Sequence, residues 1–152
     1  MTQYAYQQDA FMVGTLHNST PTRSYTFTAG ADLAPGVALK RDLTDSNKLI
    51  PWRNDGIYAN TGFAAILPRS ATLFSRYLEN EYTYKAGQKV PGHVECTISV
   101  ITSVDVKGGD PLYCVAATGE FTNASEGNGQ QLGSFEKDAT AGSIVKIHIN
   151  KL

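Results

Sequence analysis

The chain has 152 residues, enough for one domain whose core needs no disulfide or metal staple. Its formal net charge is −1 and 18% of its residues are charged, below the roughly 25% of ordinary soluble domains. That balance excludes an electrostatic case for nucleic acid, membrane surfaces or strongly charged partners. It fits either a soluble domain rich in Ser, Thr and Asn or a surface partly covered by other subunits.

Residues 1–22 read as an N-terminal arm. They are rich in Gln, Thr and Asn, with Tyr4 and Tyr6 near the start and one apolar knot at Phe11, Met12 and Val13. Such a segment either frays or orders as an extended strand against a neighbour. It has no basic region followed by a long apolar run, so no secretory signal is read there, and no stretch nears the roughly 18 apolar residues of a membrane span. The acceptor triplets at Asn18 and Asn123 are therefore expected to stay unglycosylated.

The domain proper is assigned to 23–152. In "SYTFT", Tyr25 and Phe27 share one face and predict a half-buried strand. Pro35-Gly36 predicts a turn, after which Val37-Ala38-Leu39 restarts a strand. "RDLTDSNKLIPWRNDG" is polar and reads as a loop carrying the single tryptophan, Trp52, and "IYANTGFAAILP" as a buried strand ending at Pro68. Leu73, Phe74, Tyr77 and Leu78 recur at helical spacing, so "RSATLFSRYLENEY" is the one candidate helix. "VECTISVITSVDV" alternates most clearly: Val94, Cys96, Ile98, Val100, Val104 and Val106 face one way and mostly polar residues the other. Thirteen residues is long for a strand, which predicts a bulge or bend passing it between sheets. Gly108-Gly109 reads as the hinge of a hairpin into "LYCVAA". That register sets Cys96 and Cys114 about seven residues out of step, too far for a disulfide, so both read as reduced core thiols. Val145, Ile147 and Ile149 form the inner face of the last strand.

Four glycines each stand just before a β run, in "APGVAL", "KAGQKV", "KGGDPLYCV" and "TAGSIVKI". Many short strands launched by tight turns predict an all-β chain: a small β-barrel or jelly-roll-like sandwich with an extended arm and at most one short helix.

Tests for chemistry come back empty. "VKGGDPLYCV" leads into β-type residues and Pro111 has no N–H, so no helix N-terminus is there to cradle a phosphate. His17, His93 and His148 are read as solvated or interface residues, since no sequence motif pairs them with a nucleophile. Asp42, Asp45 and Asn47 lack calcium-loop spacing and the closing bidentate Glu. No Cys/His spacing suits a metal, and no cofactor is expected. What remains is aromatic surface. Tyr4, Tyr6, Phe11, Trp52, Tyr58, Phe74 and Tyr77 fall in the arm, the loops or the candidate helix, and are the residues read as contacts to another protein.

The order of segments resembles a known family. "AFMVGTLHNSTPTRSYTFTAGADLAPGVALKR", "TGFAAIL", "YKAGQKVPGHVECTISV", "VKGGDPLYCVAATGEFT" and "FEKDATAGSIVKIHI" follow one another as in the structural cement, or capsid-decoration, proteins of tailed bacteriophages. The likeness runs over about residues 10–150 and lies in the order of its glycine turns; segments 42–56 and 68–82 are longer than the family pattern. It implies a β-barrel or jelly-roll protein on the exterior of an icosahedral virion capsid, with no catalytic residues. The implied partner is the major capsid protein; further copies of the chain, as a dimer or trimer, are also expected, and nucleic acid and membrane are not. Two rivals stand beside this reading. A carbohydrate-binding β-sandwich of a virion fibre or adhesin would show an aromatic platform, and a small hydrolase or isomerase would show converging titratable groups in a deep pocket.

Overall fold

A computed structural model describes residues 13–17, 22–52, 63–69, 83–128 and 130–150. Regular structure among them is entirely β, in ten strands: β1 (Leu16–His17), β2 (Arg23–Ala29), β3 (Ala38–Arg41), β4 (Lys48–Pro51), β5 (Ala65–Ile66), β6 (Lys89–Ile101), β7 (Pro111–Cys114), β8 (Phe121–Thr122), β9 (Gly133–Phe135) and β10 (Ile144–Asn150). The candidate helix at 69–82 lies, past Arg69, outside the described residues.

β6 begins and ends five residues before the expected strand at 94–106, because the chain leaves the sheet after Ile101, and its thirteen residues belong to two sheets. Its first half closes a five-stranded barrel in the order β2-β4-β3-β5-β6 and back to β2; only the β2–β4 pair is parallel. Its second half pairs β10, from which β9, β7 and β8 follow, all antiparallel. That second sheet curls back onto the chain just past β6 through a parallel bridge between Thr102 and Phe121. β1 takes the edge of β6 that β2 has left.

The predicted bulge is what permits the change of partners. Arg23 faces Glu95 while Ser24 faces His93, so Val94 is the extra residue. An inserted residue bends and twists its strand. One side of β6 then serves two cores: Val90 and Val94 point into the barrel, whereas Cys96, Ile98 and Val100 point into the second sheet. The barrel wall is shared in the same way, since Leu39 and Ala65 face the barrel interior and their neighbours Ala38 and Ile66 face the other core. The four turn glycines all hold the left-handed backbone that favours this residue, with φ of 75° at Gly36, 87° at Gly87, 94° at Gly109 and 84° at Gly142.

Four other readings change. The stretch 41–56 is not all loop: it contains β4, whose Leu49 and Ile50 are buried. Two apolar residues in a polar run are too short a period to register as a strand. Tyr25 is 52% exposed although it shares a face with buried Phe27, because the barrel ends before reaching it. The polar residues Thr97 and Ser99 on the far side of β6 are buried rather than solvated. Finally, Gly108-Gly109 lies in a turn, closed by Asp110 N–H donating to Lys107 O at 3.0 Å, but β6 and β7 do not pair. The chain leaves the sheet after Ile101 and re-enters between β8 and β9. Cys96 and Cys114 are nonetheless buried and form no disulfide with each other, although the hairpin register that would keep them apart does not exist. Burial pushes the Cys96 thiol up to about 12.

Candidate contact surface

Of the seven aromatic residues expected at a contact surface, Trp52 is the one within the described residues. Tyr4, Tyr6, Phe11, Tyr58, Phe74 and Tyr77 lie outside them. Trp52 follows directly on β4 and wedges between the barrel and the second sheet. Its Nε1–H donates to Ala116 O at 3.1 Å, and the Lys40 ammonium sits 4.4 Å above its ring centroid. Gly119 makes the wedge possible: a Cβ there would lie 2.4 Å from the indole Cγ. Half-buried and hydrogen-bonded, Trp52 joins two layers as well as facing outward.

Beside it runs a groove of about 690 Å³, walled by Val37, Pro51 and Trp52 on the barrel side and Ile101, Thr118 and Phe121 on the other. Val37 and Ile101 stand open at its rim, 42% and 51% exposed. Sequence reasoning missed both. Ile101 did leave a signal, since it is a β-branched apolar residue at a position where the alternation of β6 calls for a polar one. Val13 also lines this groove.

The carboxylates act as turn staples. Asp110 Oδ2 accepts from Lys107 N–H and from Asn123 Nδ2–H, each at 2.9 Å; Asp138 Oδ1 accepts from Gly108 N–H at 2.7 Å, and Asp105 Oδ1 from Ala141 N–H at 2.8 Å. The Asn123 and Lys107 donors hold Asp110 below its ordinary carboxyl value. Asp42 Oδ1 likewise accepts from the Thr44 N–H and hydroxyl, both at 2.8 Å, and the same donors lower its pKa. Among the described residues no three His, Cys, Asp or Glu are grouped to hold a metal.

Two of the three histidines, His17 and His148, do find hydroxyl partners, against expectation. His17 Nε2 lies 2.9 Å from Ser99 Oγ and His148 Nδ1 lies 3.1 Å from Thr97 Oγ1; strand pairing sets His17 and His148 on either side of Thr97. Ser99 is only 3% exposed, so its oxygen has no open approach for a substrate carbonyl. The contacts satisfy a buried polar face.

Burial lowers the pKa of His93, opposed by the bond its Nδ1–H donates to Pro91 O, and burial together with the Lys146 charge lowers that of His17. A depressed folded pKa means that the unfolded chain binds more protons. Stability is therefore complete above the ordinary value of 6.5 and falls as pH drops through the folded values. Melting followed by circular dichroism is expected to give a lower Tm at pH 5 than at pH 7.5, and His93→Gln should reduce the difference. A pH-independent Tm would contradict the assignment.

The sequence matches the family of structural cement proteins (E217 gp24/Pam3 gp6) over residues 1–150. Among solved structures the chain is similar to one in the capsid of Myoviridae phage XM1, with a TM-score of 0.68 and 17% identity over 91% of this chain and 89% of that one. A second likeness, to the N base of the head fibre gp8.5 of bacteriophage phi29, has a TM-score of 0.49 and 16% identity over 87% of this chain and 98% of that one. At such identities the likeness to the XM1 chain is one of fold. No curated protein matches the chain.

Proposed function

Since the chain belongs to the phage structural cement protein family, whose members are structural virion proteins, we propose that it binds the outside of an icosahedral phage capsid and stabilises the lattice of the major capsid protein. The family match over residues 1–150 carries this reading. The groove beside Trp52 supports it, because a rim of exposed Val37 and Ile101 is the kind of apolar surface that a partner covers. On this reading the protein works by binding and is not an enzyme.

Cementing makes modest demands on any one site. Apolar burial yields about 25 cal/mol per Å², less the costs of ordering and association. Repetition over a symmetric shell multiplies a weak contact, more so when an arm engages a second subunit. On this reading the arm proper ends before Gly14. Gly14 N–H donates to Ser99 O at 2.7 Å, Thr15 O accepts from Ser99 N–H, and Leu16 and His17 pair β6, so residues 14–17 are tied to the sheet. Residues 1–12 can be removed without cutting into it.

Undecorated capsids mixed with the purified protein are expected to carry it down on sedimentation. Ile101→Ser should weaken that association, and deletion of residues 1–12 should remove most of it, both with an unchanged melting curve. Wild-type protein that stays in the supernatant while binding a glycan array would overturn the cement reading in favour of a carbohydrate-binding module. Undiminished association after the deletion would remove the arm from the account.

A further inference from the structure

Backbone groups along β2 alternate between its two neighbours. Ala29 turns its N–H to Gln88 O on the β6 side, whereas Thr28 turns its N–H outward to Asn47 O, where β4 begins, both at 2.8 Å. By the same alternation Tyr25 and Phe27 bond toward β6, and Ser24 and Thr26 present their N–H and C=O groups outward. β4 does not extend that far: its pairing with β2 stops at Thr28, and Ser24 and Thr26 meet no outward partner among the described residues. Residues 22–26 are all exposed. Tyr25 sits at the centre of this stretch, its ring uncovered.

We propose that this free edge pairs with the same edge of a second copy, β2 against β2, antiparallel about a twofold axis through Tyr25. The parity of the strand is self-complementary in that register. Ser24 of each copy faces Thr26 of the other, and all four residues offer outward groups, so both ends close hydrogen-bonded pairs. Tyr25 then meets the second copy's Tyr25 in the non-hydrogen-bonded position, where Cα atoms come within about 4.5 Å and side chains share one face. A slip of one residue would set outward groups against inward ones and lose the bonds.

The edge also has the right length and charge. β4 takes it over from Thr28, and Pro21 at the other end has no N–H to continue a ladder. Its one charged residue, Arg23, is turned to Glu95 of its own chain with Nε 4.0 Å from Oε2, so pairing does not oppose two free cations. A twofold contact of this kind is closed and stops at two copies. The inference is independent of capsid binding, and either can fail alone.

Cysteine scanning of the purified full chain tests the register. Tyr25→Cys is expected to form a disulfide-linked dimer under mild oxidation. Ser24→Cys should not, because the two Ser24 positions are diagonal, roughly 8 Å apart, beyond disulfide reach. The native Cys96 and Cys114 are buried, so wild type gives the background. Thr26→Pro removes one outward donor per copy and is expected to weaken dimerisation by about tenfold to a hundredfold in sedimentation velocity, with unchanged circular dichroism. A wild-type monomer at the highest soluble concentration, a trimer, or equal cross-linking at positions 24 and 25 would each overturn the proposal.

Discussion

Gly133→Ala is expected to prevent the protein from folding, a large effect for the addition of one methyl group. Gly133 opens β9 and lies between Ile149 of β10 and Leu112 of β7. A Cβ built there would stand 1.8 Å from His148 O and 2.9 Å from its carbonyl carbon. Those atoms are backbone in the middle of a ladder, so no side chain can swing aside. Either β9 separates from β10 or the ladder shifts, and both expose the second core. The cost is put at about 4 kcal/mol or more, at the far end of what single substitutions do. Gly127→Ala is the matched control. Gly127 has a left-handed backbone, φ 74°, which Gly133 lacks, and its Cβ would meet nothing within 4 Å. That change should cost only the left-handed penalty, about 1–2 kcal/mol. Urea unfolding of both variants decides the matter; equal midpoints would show that the close approach at Gly133 relaxes freely.

Ile147→Ala should be the next most damaging change. Leu16, Ile98, Ile147 and Phe135 lie in register across β1, β6, β10 and β9, one row facing the second core. Ile98 and Ile147 have no exposed surface. Truncating a fully buried isoleucine costs about 2–5 kcal/mol, from lost transfer energy and the cavity left behind. For a chain of this size that corresponds to a fall in Tm of roughly 5–15 °C. Ile101→Ser, at the groove rim on β6, should move Tm by no more than a degree or two, because its side chain is already half in water. If the two variants melted alike, the division between core and contact surface would be wrong.

The pattern of β6 and β10 was plain in the sequence because each alternates over seven or more residues, long enough for period two to stand out. The four turn glycines were legible for a different reason: a left-handed backbone leaves a residue-type mark. The pairing of strands left no such mark. Gly108-Gly109 does make a turn, but whether a turn joins neighbours depends on what the chain does before it, and here residues 102–106 have already left the sheet. β4 and the open groove were hidden because they depend on tertiary placement. Leu49 and Ile50 look like a loop until β2 and β3 flank them, and Ile101 and Val37 become neighbours only when two distant layers meet beside Trp52. Aromatic content pointed to Trp52, but could not reveal that its indole holds those layers together.

The double membership of β6 sets an order of events during synthesis. The other strands of the barrel, β2 to β5, all precede β6, and the strands of the second sheet all follow it. Once Ile101 is made, the barrel has its full complement, yet Cys96, Ile98 and Val100 have only Leu16 of β1 and barrel-wall residues such as Ala38 and Ile66 beside them until β10 arrives 43 residues later, at Ile144. At about 5–20 residues per second, a ribosome leaves the β10 edge of that apolar half-strand open for roughly 2–9 seconds. The nascent chain thus carries a sticky seam for the last third of its translation, which closes only as its own C-terminal strand is made.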